Sequence, residues 1–285
     1  MSPDSTPAYA RELHDGSPEF YSEPPHFSHP RIPEDIRVPW GWTDLLLLVG
    51  LTVLLTFLIA GLAMGAFSLA GVSYTTLTNS THEQGLFSVV VQVLLDLAIL
   101  GYLALQIRLR YQEPFWETIG WRDFDTGVIP RWAGCLGLVM LGSVISFLVD
   151  IASDWHAPKG PLPIESVLQD PMNALFFMLI SVTLAPLVEE TIFRGYIYPV
   201  IGKAWGAGLG ILLTGALFGG LHGFQLWPAY WQIALLILVG IIFTWVRAKA
   251  KTVVASYFLH LGYNGFLFVG FLASTHFLKS MPPLH

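Results

Sequence analysis

Charge is what this chain has least of. Only 12% of its 285 residues are Asp, Glu, Lys or Arg, about half the share found in soluble domains. With 54% hydrophobic residues and a mean hydropathy of +0.60, the deficit points to an integral membrane protein. Cysteine is nearly absent too: Cys135 is the single one, so no intrachain disulfide can form, and within its apolar run it reads as a small packing residue. No basic stripe or run of Lys and Arg occurs, which excludes a nucleic-acid partner. The first 39 residues lack the apolar core of a cleavable signal and are rich in Pro, Ser, Glu and His. They read as a disordered Pro-rich cytoplasmic tail. His14, His26 and His29 are scattered there among prolines without ligand spacing. No internal repeat is visible, so an inverted-repeat transporter has no support.

What the chain does have is long apolar runs. Seven stretches, at roughly 43–70, 86–107, 131–153, 172–193, 205–222, 230–247 and 252–275, are long enough to span a bilayer as helices, the fourth with a continuation as far as Pro199. The expected fold is an all-α, polytopic transmembrane helix bundle with a cytoplasmic N-terminus. That orientation follows from the loops. With the tail inside, the inner segments hold Arg11, Arg31 and Arg37, then Arg108, Arg110, Arg122 and Arg131, then Arg194 and Lys203, then Arg247, Lys249 and Lys251. Only Lys159 and Lys279 fall outside. The chain divides into the tail (1–39), N-terminal transmembrane helices (40–110), a transmembrane core carrying the chemistry (111–275) and a short C-terminal tail (276–285). Within the core, 111–130 reads as an amphipathic stretch on the inner surface. Glycine pairs Gly61/Gly65 and Gly215/Gly219 allow close helix contacts.

Against this apolar background a few polar groups stand out. An ionisable side chain in hydrocarbon costs roughly 3 kcal/mol on insertion scales, so the adjacent Glu189 and Glu190 need a reason. Arg194, four residues after Glu190, shares its helical face and can neutralise it. Glu189 points about 100° away and has no partner nearby in sequence. Two further i, i+4 pairs follow in later apolar segments: Phe218 with His222, and His260 with Asn264. Two acids, an arginine, two imidazoles and a carboxamide on three apolar helices are the ingredients of acid–base chemistry on a carbonyl. Asp96, in the second segment, reads as a hydrogen-bonded structural acid or part of a proton pathway, and Asp150 as interfacial. One geometric tension remains. His222 lies about 25 Å along the fifth segment, while His260 lies about 12 Å from the same side on the seventh. Tilt, a long fourth helix or a re-entrant segment around Gly219–Pro228 would reconcile them.

Glu-Glu-x-x-x-Arg at 189–194, Phe-x-x-x-His at 218–222 and His-x-x-x-Asn at 260–264, in this order on successive helices, resemble the motifs of the CPBP intramembrane proteases. That family takes in the CAAX prenyl endopeptidases and bacterial Abi or bacteriocin-immunity proteins. The resemblance covers about residues 110–272. It implies an intramembrane endopeptidase of the cell membrane that hydrolyses a peptide bond in a membrane-embedded or lipidated protein by glutamate-activated water. Glu189 would be the base, His222 would share the water, and His260 with Asn264 would face the oxyanion. Glu190, Arg194 and Phe218 would be structural support. No cofactor is expected. A zinc-dependent version is the alternative, although no His-Glu-x-x-His helix is present. The rivals from other classes are a non-catalytic immunity or scaffold protein and a proton-coupled transporter.

Overall fold

The computed structural model describes residues 33–123, 126–157 and 162–281; His14, His26, His29 and Lys159 lie outside them. Among the described residues every regular element is helical. A 3-10 turn (Glu34–Ile36) leads into α1 (Trp42–Leu69), the short α2 (Tyr74–Asn79), α3 (Thr81–Arg110), the one-turn α4 (Phe115–Thr118) and α5 (Arg131–Ser153). After 3-10 turns at Asp154–His156 and Pro163–Gln169 come α6 (Pro171–Val182), α7 (Leu184–Glu190), a π-helical segment (Thr191–Ile197) and α8 (Tyr198–Trp205). The chain ends with α9 (Ala207–Leu221), α10 (Gly223–Leu226), α11 (Tyr230–Ala250) and α12 (Val253–Ser274). Seven stretches are long and apolar enough to cross a membrane, the fourth being the 35-residue run Pro171–Trp205. The molecule is an all-α, multi-pass membrane protein.

Local chemistry sets the helix starts. The Ser80 hydroxyl caps α3 by accepting the Glu83 N–H at 3.3 Å, and the Asp170 carboxylate caps α6 by accepting the Asn173 N–H at 2.9 Å, with Pro171 at the first helical position. Thr252 does the same for α12 through the Val254 N–H. The fourth span ends at Trp205 because Gly206 follows with a φ of 87°, a backbone state that only glycine adopts cheaply. Trp205 therefore ends the fourth span instead of opening the fifth.

Helix packing sorts the bundle into two ends. At one lie the start of α1, the end of α3, α4, the start of α5, the α8–α9 turn and the α11–α12 turn. They are tied by Arg110–Asp44 (2.7 Å), Arg247–Asp35 (2.7 Å) and the Val253 N–H on the Gly120 carbonyl (2.8 Å). This is the basic end. At the far end Trp231 Nε1 donates to the Ala152 carbonyl (2.7 Å), and His82 meets Asp170 (3.0 Å). Close contacts depend on glycine. A Cβ on Gly142 would fall on the Leu259 carbonyl and one on Gly262 on the Val139 carbonyl, so α5 and α12 touch backbone to backbone. Gly215 and Gly219 do the same against Ile241 and Ile237 of α11, whereas Gly61 and Gly65 meet nothing.

Two boundaries from the sequence shift. Residues 33–39, read as the end of a loose tail, are packed: Ile36 and Val38 are buried, Asp35 pairs with Arg247, and Lys203 Nζ donates to the Val38 carbonyl at 3.2 Å. A few apolar side chains among prolines and charges are too short a run to give a periodic signal. The stretch 111–130 also does more than lie on a surface. Phe115 and Ile119 are buried, and a Cβ on Gly195 would clash with Ile119, so this segment packs against the fourth span.

Candidate active site

The fourth span is irregular where its chemistry lies. Pro186 has no N–H for the Val182 carbonyl and its ring crowds that turn, so the helix breaks at Thr183, between α6 and α7. The loosened turn leaves the Ser181 carbonyl free to accept Asn264 Nδ2 from α12, at 2.6 Å. Directly after Glu190 the helix widens into the π segment, a feature that recurs at functional sites. Trp121 pins this transition by donating to Thr191 Oγ1 at 2.9 Å.

The two glutamates have opposite surroundings. Glu190 and Arg194 are completely buried and paired at 2.9 Å. Arg194 also donates to the Gly240 carbonyl (3.0 Å) and Thr244 Oγ1 (3.3 Å), and its guanidinium lies over the Phe218 ring at 4.4 Å. The Glu190 Oε1 atom also takes a hydrogen bond from His260 Nδ1 at 2.9 Å. Since a carboxylate only accepts, Nδ1 carries the proton, which fixes the ring and turns Nε2 toward Glu189. Glu189 Oε2 lies 3.7 Å from that Nε2, beyond hydrogen-bonding range. Among the described residues Glu189 makes no hydrogen bond, and its side chain is 27% exposed.

That exposure is to a cavity of about 380 Å³, lined by Glu189, His222, His260, Asn264, Phe218 and Phe243 at its floor. His222 Nδ1 donates to the Phe218 carbonyl at 2.8 Å, which leaves Nε2 as a lone-pair acceptor. The depth tension between the histidines disappears around Phe218. Its ring stands 4.7 Å from His222 and 5.8 Å from His260, spacing the two rings along one wall. Asn264 differs from expectation in one respect. Its amide nitrogen is shared between the Ser181 carbonyl and His260 Nε2 (3.3 Å), so here it orients the imidazole.

All seven residues singled out in the sequence thus lie together. Three contributors were not singled out. Phe243 and the Gly240 carbonyl on α11 complete the arginine cradle and carry no motif. Gln92, on α3, lines the cavity and donates to Asp96 Oδ1 at 2.8 Å. Asp96 is buried and its charge would interact with that of Glu189. An apolar helix with one Gln and one Asp a turn apart was the available signal.

As a zinc site the cluster fits poorly. Among the described residues no three His, Cys, Asp or Glu side chains converge on a common point.

A buried ion pair thus steadies a helix beside an acid without a hydrogen bond and two imidazoles, all on one cavity. The family comes from comparison. A family model, Type II CAAX prenyl endopeptidase Rce1-like, matches residues 171–266. That segment runs from α6 into α12 and contains every motif residue from Glu189 to Asn264. The match covers 96 of the 285 residues and supports a relationship of this segment to the CAAX-type intramembrane proteases in general. Searches of curated proteins and of solved structures give no significant match.

Proposed function

We propose that this protein is an endopeptidase of the cell membrane that hydrolyses a peptide bond in a membrane-embedded or lipidated polypeptide, with Glu189 as the base that activates water. One observation carries the reading: of two adjacent acids, Glu190 is buried and tied to Arg194 and His260, while Glu189 is unpaired at the cavity wall. A water held between Glu189 and His222 Nε2 attacks the scissile carbonyl carbon, and Glu189 takes its proton. As an imidazolium, paired with Glu190 through Nδ1–H, His260 also carries a proton on Nε2, and this N–H and the Asn264 amide donate to the developing oxyanion, for which Asn264 gives up one of its present partners. A well-placed donor at that point contributes roughly 3–4 kcal/mol. Glu189 then delivers the proton to the departing amine as the C–N bond breaks, leaving a carboxylate and a free amine. No metal is routed through these steps.

The test compares membranes from cells carrying the wild-type chain, Glu189→Gln or no copy, by mapping new peptide N-termini. Termini that need the wild-type chain and vanish in Glu189→Gln support the base. Turnover unchanged by that substitution would rule it out. Activity should survive excess EDTA, with well under one equivalent of zinc in the purified protein. Loss to chelator with selective recovery on added zinc would make the same residues ligands.

A further inference from the structure

The π segment leaves one backbone acceptor without its usual donor. In an α-helix the Tyr198 N–H would serve the Arg194 carbonyl four residues back. Here it donates to the Phe193 carbonyl, and the next residue, Pro199, has no N–H. A buried carbonyl without a donor is unfavourable, so the wide turn needs a partner from elsewhere. Arg247 of α11 supplies it, with Nε 3.2 Å from the Arg194 carbonyl oxygen. The Arg247 guanidinium is itself aimed by residue 35. Its Nη1 donates to the Asp35 carboxylate at 2.7 Å and its Nη2 to the Asp35 carbonyl at 2.8 Å. Two residues further along the π segment, the Tyr196 carbonyl accepts Trp40 Nε1 at 3.0 Å, and the Trp40 and Tyr196 rings stack at 5.0 Å. Between these anchors Ile36 is buried, close enough to touch a Cβ on Gly202 of α8, and Lys203 holds the Val38 carbonyl.

The register of this turn decides where the acids point. Relaxing the π segment to an α-helix would rotate Glu189 and Glu190 by about 100° relative to α8. α8 cannot follow, because it is locked on α9: a Cβ on Gly210 would meet the Gly202 backbone at 2.9 Å. Arg247 favours the π form directly, since it takes the place of the bond that the α form would make at the Arg194 carbonyl. We propose that residues 33–40 are a clasp on the helix that carries the acids, with Asp35, Trp40 and Arg247 as positioning residues for Glu189 and Glu190. None of the three lines the cavity. They act through the Arg194 and Tyr196 carbonyls, on the opposite side of the Glu190–Arg194 pair from the open acid. The effect of the clasp on turnover rests on the protease reading above; its effect on the helix does not.

Two measurements on the full-length chain test the clasp. In detergent, hydrogen exchange over Thr191–Ile197 should quicken about tenfold in Asp35→Ala and in Trp40→Phe, the scale of one lost hydrogen bond, while exchange where α5 meets α12 stays as in the wild type. With a peptide whose cleavage needs Glu189, kcat per folded molecule should fall about 10–100-fold in Asp35→Ala, the scale of a displaced catalytic group, with KM within about twofold. Asp35→Glu, which keeps a carboxylate for Arg247, should recover most of that loss. Trp40→Phe keeps an aromatic ring and removes only the donor, so it decides the matter if Asp35→Ala does not fold. Unchanged exchange over Thr191–Ile197 overturns the clasp, as does a rise spread evenly over the bundle or a wild-type kcat in the folded variants. A wild-type chain that cleaves no peptide overturns the protease reading instead, and exchange alone then decides the clasp.

Discussion

Two buried acids in this bundle face the same physical problem and solve it differently. Asp44, at the foot of α1, closes on itself. It accepts from Gln106 Nε2 (3.0 Å), Arg110 Nη1 (2.7 Å), the Tyr111 hydroxyl (2.9 Å) and its own helix at the Gly41 N–H (2.9 Å). Burial, with the hydrogen bond to Asp44, pushes the Tyr111 hydroxyl up to about 12, so it stays a neutral donor. Gln106 passes the network to Tyr196, whose hydroxyl donates at 2.6 Å and whose ring stacks on Trp40 at 5.0 Å. Both oxygens of Asp44 are thus accounted for, two donors on each. The 189–264 cluster buries one acid completely, with Arg194 and His260 both on its Oε1 and no partner on its Oε2, and leaves the next acid without a hydrogen bond. The first network consumes the hydrogen-bonding capacity of its acid; the second keeps polar groups unspent beside a cavity.

Substitutions sharpen that contrast. The largest effect is expected on the open side, where Glu189→Gln should lower turnover about 10²–10⁴-fold, the usual worth of a general base, with the unfolding midpoint in detergent unmoved. Glu190→Ala should strike stability first. Arg194, completely buried, would lose its counter-charge at a cost of about 3–5 kcal/mol, read as lost expression or a lowered thermal midpoint. If Glu190→Ala is stable but inactive, the roles of the two acids need exchanging. Asp44→Asn should cost about 1–3 kcal/mol through weakened contacts with Gln106, Arg110 and Tyr111, while the surviving folded protein keeps its turnover per molecule. A loss of turnover without loss of stability there would break the distinction between the clusters.

The smallest effect belongs to Asp170 at the far end. Burial alone would raise its carboxyl, but the Asn173 N–H and His82 hold it below the ordinary value of 3.8. A depressed folded-state value means the stabilisation is present above about pH 4 and is lost as pH falls through the folded-state value. Asp170→Asn should therefore cost at most about 1 kcal/mol near neutrality, the scale of a helix cap, and nothing in acid. Unfolding midpoints of both proteins from pH 7 down to pH 3 would show the gap closing.

Much of this was legible in the sequence because hydrocarbon leaves few options. A run of about 20 apolar residues must be a helix, and a charge inside it must be explained. That logic gave seven spans, and it separated Glu190 with its i+4 arginine from the unpartnered Glu189. Helical spacing also put His260 and Asn264 on one face. It failed where partners come from distant segments. Gln92 looked like any polar residue of an apolar helix, and Asp35, Ile36 and Val38 carried no period. Nor did spacing mark Gly142 and Gly262, which meet across two helices.

By itself, then, the sequence determined the helical architecture and the residue set, since both follow from local cost: hydrocarbon length for the spans and uncompensated charge for the acids. Only the tertiary structure decided that His260 bonds Glu190 and stands off Glu189, that Phe218 spaces the two histidines, and that one cavity reaches from Glu189 to Gln225 of α10. Those depend on how Pro186 and the π segment turn the fourth helix, and on how closely glycine lets its neighbours approach, which no one-dimensional periodicity records.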